Sequence, residues 1–206
     1  MYYTVSREST AETSIKHSKF LAFCAAVRDA DEAELYVKSI KKRYSDATHA
    51  PYAYVIGERG DKVRASDDGE PSGTSGAPIL DAIRGEGVTN TVVVVVRYFG
   101  GIKLGTGGLT HAYGECAALA LRANEKTKYE KCTVFSVKCD YNAVSSIQNK
   151  VYSLGGSVLG TDYADGAVVE AAVPASSADL FRSFVADVSS GKADITVLDG
   201  RYCPIK

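Results

Sequence analysis

The chain is 206 residues long, 45% hydrophobic and 24% charged, with a formal net charge of -1. That is the mix of an ordinary globular protein with a real core, and enough chain for one large domain or two small ones. Residues 1–126 carry 16 basic and 16 acidic side chains and residues 127–206 carry 8 and 9, so neither half has the positive excess of an autonomous nucleic-acid binder, although a local basic patch remains compatible.

The opening Met1-Tyr2-Tyr3-Thr4-Val5 has no basic region followed by an apolar core, and no apolar run is long enough to span a bilayer. The five cysteines (Cys24, Cys116, Cys132, Cys139, Cys203) form no C-x-x-C pair. They fit neither a disulfide framework nor a structural zinc site. The expectation is a reduced, cytoplasmic protein with no membrane contact, no cofactor and no metal.

In chain order, Glu12–His17 and Lys19–Val27 read as strands, and Asp29–Tyr44 as a helix. Asp29 or Asp31 can cap that helix, Leu35, Val37, Ile40 and Tyr44 give it an apolar face, and Lys38, Lys41, Lys42 and Arg43 complement the dipole at its far end. The basic cluster reads as a solvated last turn. His49–Gly57 is a strand with Tyr52, Tyr54 and Ile56 on one face, followed by a hairpin at Gly60-Asp61. Residues 65–78 (Ala-Ser-Asp-Asp-Gly-Glu-Pro-Ser-Gly-Thr-Ser-Gly-Ala-Pro) have almost nothing to bury, and a loop this long and polar is more often functional than decorative. Ser75 can cap a short helix from Gly76 to Arg84, with Gly85 ending it.

Five consecutive valines, Val92–Val96, predict a strand buried on both faces. It ends at Arg97 and runs into a turn with glycine at 100, 101, 105, 107 and 108. A core helix follows over Thr106–Ala123, with Leu109, Ala112, Tyr113, Cys116, Leu119 and Ala120 on its stripe. Asn124–Glu130 is polar and reads as a linker. Beyond it Lys131–Tyr141, Ser157–Tyr163, Ala167–Pro174 and Ala193–Arg201 read as strands, with a turn at Asp165-Gly166. Ala143–Leu154 and Ala178–Val188 read as helices, the second capped by Ser176 or Ser177. The order βαββαβ is that of a ferredoxin-like unit. The fold class is therefore α+β, in two domains, 1–126 and 127–206.

The glycine turn invites phosphate readings. A Walker A loop needs lysine directly after its last glycine, and here Thr106 follows Gly105 while Lys103 is misplaced. The dinucleotide fingerprint fails as well, because Thr110 stands where its third glycine belongs. What survives is a helix N-terminus, Gly105-Thr106-Gly107-Gly108, with Lys103 and Arg97 nearby: either an anion site or simply tight strand-to-helix packing. In the polar loop, Asp67, Asp68 and Glu70 are candidate acids, bases or cation ligands, with a turn network as the competing reading. His49 is the one histidine placed to join them, while His17 and His111 read as ordinary polar residues. A Ser72-His49-Asp68 arrangement can be assembled on paper, but no Gly-x-Ser-x-Gly elbow exists. Base stacking on the second domain's central strand is disfavoured, since Ala167–Val173 contains no aromatic residue.

Asp67-Asp68-Gly69-Glu70-Pro71-Ser72-Gly73-Thr74 and Arg97-Tyr98-Phe99-Gly100-Gly101-Ile102-Lys103-Leu104-Gly105 together resemble the signature of the IMPACT/YigZ family in its bacterial two-domain form. His17-Ser18-Lys19-Phe20 and Ala47-Thr48-His49-Ala50 fit its upstream pattern. The resemblance implies a ribosomal protein S5 domain 2-like fold for residues 1–126 and a ferredoxin-like domain after it. Both folds, in that order, also resemble the last two domains of translocase elongation factors. Eukaryotic members regulate translation in part through an N-terminal RWD domain, for which this chain has no room. Small-molecule kinases share the S5-like fold, but their glycine-serine phosphate loop is not matched by Gly105–Leu109.

Three functions follow as expectations. The first is a non-catalytic regulator of translation or stress response that binds the ribosome, structured RNA or a translation-related protein. Its edge would comprise Asp68, Glu70, Ser72 and Thr74 with Arg97, Tyr98, Phe99, Gly100, Gly101, Lys103, Gly105 and Thr106; Arg97 and Lys103 would contact phosphate, and Tyr98 or Phe99 would stack. The second is a hydrolase or transferase acting on a small phosphorylated or acyl substrate at the same edge, with His49, Asp67, Asp68 or Glu70 as acid or base. The third is a protein-interaction module using the ferredoxin-like sheet.

Overall fold

A computed structural model describes residues 1–205 with the exception of Asp165. The chain separates into two compact units, one of Tyr2–Thr127 and one built from Lys128 onward.

The first unit begins with β1 (Tyr2–Val5), which no sequence signal announces. Thr89 N–H donates to Tyr3 O at 2.9 Å, and Val5 is buried in the core. Next come β2 (Ser9–Ile15) and β3 (Ser18–Ala26), then α1 (Ala30–Arg43), whose N-cap Asp29 accepts from Glu32 N–H at 2.8 Å. Of the expected apolar face of α1, Val37 and Ile40 are buried with Ala33, but Leu35 is 65% exposed. The hairpin β4 (Tyr52–Ile56) and β5 (Lys62–Ser66) leads through the polar loop to α2 (Gly76–Gly85). Then follow β6 (Thr91–Tyr98) and α3 (Gly105–Arg122).

Strands β2 to β6 form one antiparallel sheet in the order β2-β3-β6-β4-β5, so the valine strand is central; β1 is not part of it. Its side chains alternate between two cores. Val93 and Val95 pack with Phe20, Ala53 and Val55 under α2 and α3; Val92, Val94 and Val96 pack with Phe23, Tyr52, Tyr54 and Ile56 under α1. Helices on both faces are why five consecutive β-branched residues are tolerated without a polar one.

On α3, Leu109, Ala112, Tyr113, Cys116 and Ala120 are buried as expected, with Ala117 and Leu121 in addition. Leu119 instead points outward, 41% exposed. The expected linker is not one. Asn124 is buried, its side-chain carbonyl accepting from Ser6 N–H (3.1 Å) and Arg7 N–H (3.2 Å) while its amide donates to Ser9 Oγ (3.0 Å). A strand starts directly after it, β7 (Lys126–Cys139).

The second unit continues with α4 (Tyr141–Ser153), β8 (Ser157–Asp162), β9 (Ala167–Pro174), α5 (Ala178–Val188) and β10 (Asp194–Ile205). The strand order β10-β7-β9-β8, antiparallel throughout, is the ferredoxin-like arrangement that the βαββαβ pattern implies. Phe135, Val137, Ile147, Val151, Val169, Phe181 and Val185 form its core. Ser177 occupies the cap position of α5, but its side chain makes no capping bond. Of the expected Asp165-Gly166 turn, Asp165 lies outside the described residues. Among the described residues, no helix is long and apolar enough to cross a membrane. Both units are mixed α and β, as expected.

Candidate functional site

Three separate stretches are laid side by side at one end of β6. Arg97 N–H donates to His49 O (2.8 Å) and Thr48 N–H to Arg97 O (2.9 Å), so the 48–49 segment runs along the strand's last residues. The polar loop is pinned to that segment by Ala50 N–H, which donates to Asp68 Oδ2 at 2.8 Å. The β2–β3 turn closes the other side, where Ser18 Oγ accepts from Gly100 N–H at 3.2 Å. Gly100 must be glycine there: a Cβ would sit 2.0 Å from the backbone carbon of His17. The two sequence motifs therefore meet in space.

They meet through a buried ion pair. Arg97 and Glu70 are only 5% and 8% exposed, and the Arg97 guanidinium donates to Glu70 Oε1 at 2.6 Å. The Tyr113 hydroxyl donates to the same oxygen at 2.7 Å, and burial together with that bond holds the Tyr113 pKa well above the usual tyrosine range. The guanidinium carbon lies 5.6 Å from the ring centre of Phe20 and 5.3 Å from that of Phe99. Phe20 in turn meets Tyr113 edge-on at 5.1 Å. Arg97 is thus largely occupied by its protein partners, and at 5% exposure it presents little surface for the phosphate contact expected of it.

The loop carboxylates do not pair with one another; they point to three places. Asp67 accepts from Gly73 N–H (2.8 Å), Ser75 N–H (3.0 Å), Ser75 Oγ (2.8 Å) and Gly76 N–H (2.8 Å). Burial pushes its pKa upward, but these bonds outweigh it and hold the carboxyl below the usual range. Asp67, not the expected Ser75, therefore caps α2. Asp68 reaches the other way, to Lys41 on α1 and to Ala50 N–H. It holds this position with φ at +46° and Gly69 following at +88°, a left-handed pair that reverses the chain. Glu70 turns inward to Arg97. The turn-network reading accounts for the loop, and among the described residues no group of three or more His, Cys, Asp or Glu can hold a metal ion.

The paper triad of Ser72, His49 and Asp68 is not formed. His49 Nδ1 lies 2.8 Å from the backbone oxygen of Asp68, not its carboxylate, and Ser72 is exposed. Thr74 is buried, its hydroxyl donating to Pro71 O at 2.6 Å within the turn. The Tyr98 hydroxyl donates to Asp46 at 2.9 Å, and its partly buried ring packs against the α1-side core.

What remains open is a cleft of about 370 Å³ lined by Glu70, Pro71, Arg97, Phe99, Lys103, Leu104, Gly105, Thr106 and Leu109. Phe99 is 46% exposed, and Lys103, Gly105 and Thr106 are exposed as well. Gly101 and Gly105 take positive φ (+84° and +75°) to swing the turn into α3. The N-cap Leu104 supplies no side-chain acceptor, so the first N–H groups of α3 are left to whatever enters the cleft. A second, smaller cleft of about 160 Å³ lies beside Lys41, Thr48, His49 and Asp68. Sequence reasoning placed Tyr113 only in the core stripe and gave Ser18, Phe20 and Lys41 no role at the site. Ser18 and Phe20 lay inside a quoted family motif, which was the available signal.

The fold and this cleft define a two-unit α+β protein with an open cleft between a carboxylate-pinned loop and a glycine turn. Residues 16–121 match the Impact N-terminal domain, and residues 137–192 match a Domain of unknown function (DUF1949). The chain is 34% identical over 194 residues to IMPACT family member YvyE of Bacillus subtilis, covering 94% of this chain and 89% of that one. It is 34% identical over 192 residues to IMPACT family member YigZ of Escherichia coli, covering 92% and 94%. A solved structure titled "Crystal structure of an hypothetical protein" matches with a TM-score of 0.65 at 32% identity, over 96% of this chain and 97% of that one. The chain belongs to the IMPACT family.

Proposed function

We propose that the protein is a non-catalytic, cytoplasmic regulator of translation that binds an RNA surface, such as that of the ribosome, at the Glu70–Leu109 cleft. The observation that supports this reading is a division of labour among side chains. Asp67, Asp68 and Glu70, the carboxylate acids and bases weighed from the sequence, are each held by structural partners, whereas the half-exposed Phe99 ring, which meets Arg97, converges on the cleft with the exposed Lys103 and the start of α3. An exposed ring, an ammonium and free backbone N–H groups are what a base and its phosphate need. Of the two residues expected to contact phosphate, Arg97 and Lys103, Lys103 carries that role in this reading. Ribosome co-sedimentation at low and moderate salt tests the reading. Wild type pellets with ribosomes and releases as salt rises, while Phe99→Ala/Lys103→Ala stays in the supernatant; a double variant that pellets like wild type overturns it.

A second reading, an enzyme acting on a small phosphorylated or acyl substrate, draws on His49. Its Nδ1 lies 2.8 Å from the Asp68 carbonyl oxygen, and the ring lies beside the smaller cleft. A His49→Gln variant that still pellets with ribosomes separates the two readings.

A further inference from the structure

Glu70 lines the cleft, and one of its carboxylate oxygens is not used by the ion pair. Both donors to Glu70, the Arg97 guanidinium and the Tyr113 hydroxyl, go to Oε1. Oε2 has no protein donor, yet it is not among the sealed polar atoms without a partner, which are Thr13 Oγ1 and Arg97 Nε among the described residues. A carboxylate on a residue 8% exposed, lining a cleft, with one oxygen unclaimed by protein and still open to solvent, is free to accept a donor from a ligand. Arg97 already offsets its charge, so a neutral hydroxyl suffices.

The other groups around the cleft narrow that ligand. Lys103 and the uncapped start of α3 favour an anion, and Phe99 offers an exposed aromatic face. The volume, about 370 Å³, sits near the lower end of small-ligand sites and has room for one nucleotide unit. A flat apolar ring, a hydroxyl and a phosphate occur together, within the reach of one residue of a polymer, in a ribonucleotide.

We propose that the cleft holds one ribonucleotide unit of a single-stranded RNA segment, and that Glu70 Oε2 accepts a hydrogen bond from its ribose 2′-hydroxyl, making Glu70 the residue that distinguishes RNA from DNA. This rests on the RNA-surface reading above and adds a specificity that reading does not require. In DNA the donor is missing and Oε2 is left covered and unpaired.

Fluorescence anisotropy with short labelled oligonucleotides of one sequence, as RNA, DNA and 2′-O-methyl RNA, tests it on the wild-type protein. RNA should bind about tenfold more tightly than the other two, the effect of one hydrogen bond to a charged acceptor. Lys103→Ala should weaken RNA and DNA by the same factor. Glu70→Gln leaves Arg97 without its anion and can fail to fold, so the ligand-side changes carry the test; a folded Glu70→Gln should lose the RNA preference. Equal wild-type affinity for RNA and DNA, with Lys103→Ala still weakening both, overturns the Glu70 assignment and leaves the RNA-surface reading standing. Absence of binding to any of the three overturns both. A free ribonucleoside monophosphate that binds as tightly as the oligomer overturns an RNA strand as the source of the unit.

Discussion

Asp67, Asp68 and Glu70 lie within four positions of one another and serve three different ends, which makes their substitutions separable. Asp67 holds the start of α2 through three backbone N–H groups and a hydroxyl. Replacing it with alanine should cost about 1–2 kcal/mol in urea unfolding at neutral pH, the range of a lost helix cap. Because folding lowers the Asp67 pKa, its contribution is complete above about pH 4, the ordinary carboxylate value, and disappears as pH falls through the lower folded-state value. The stability gap between wild type and Asp67→Ala should therefore close on acidification. Glu70→Ala strands a buried guanidinium and should cost about 3–5 kcal/mol, whereas Tyr113→Phe removes one hydrogen bond to a charged acceptor and should cost about 1.5–3 kcal/mol. Equal losses in those two variants would mean that Arg97 finds another partner. None of these assignments was readable from spelling alone. Sequence shows that three carboxylates share a loop, but the direction each one takes is set by a left-handed turn at Asp68-Gly69 and by groups more than twenty residues away in the chain, such as Lys41 and Arg97.

At the level of elements, the strands and helices were legible wherever one period dominated. The valine run, the hairpin of β4 and β5, and the βαββαβ order of the second unit each carry a simple pattern. The misses have local causes. Leu35 is off the 3.6-residue period of Ala33, Val37 and Ile40, and Leu119, three residues after Cys116, falls at the exposed margin of the α3 stripe. β1 is four residues long, too short for a period to show. Asn124 looked like linker material because its polarity is visible in sequence and its buried partners, Ser6, Arg7 and Ser9, are not. The glycine turn was located correctly, but only coordinates separate its glycines by role. Gly100 is there for a close backbone approach and Gly101 and Gly105 for their φ values. Gly100→Ala should accordingly destabilise the protein by about 1–3 kcal/mol or more, since the β2–β3 turn has to move away, and it should be markedly worse than Gly107→Ala, where a Cβ meets nothing within 4 Å. Thermal melts of the two variants side by side make that comparison.

For the molecule as a whole, a net charge of -1 leaves little long-range attraction for RNA, so the proposed function requires binding to come from the cleft itself. One or two phosphate contacts predict a shallow salt dependence, with log K against log salt falling at a slope of about -1 for a single strand. A slope several times steeper would place the contacts elsewhere. All five cysteines are free and buried, with burial pushing Cys24 and Cys132 up to about 12. A maleimide should thus leave the native protein unlabelled over minutes and take up five equivalents in denaturant. The central position of β6 also bears on the order in which the chain is made. Its sheet neighbours β3 and β4 are synthesised first, each already paired on its outer side to β2 or β5 and each with its inner edge waiting. Until Thr91–Tyr98 emerges, a growing chain holds two hairpins with no strand in common and nothing to fill the gap between them. A nascent chain arrested before Thr91 should therefore be readily proteolysed and prone to associate through those edges, and one extended past Arg122 should be protected, because the inserted strand joins the hairpins and α3 then closes the core on its face.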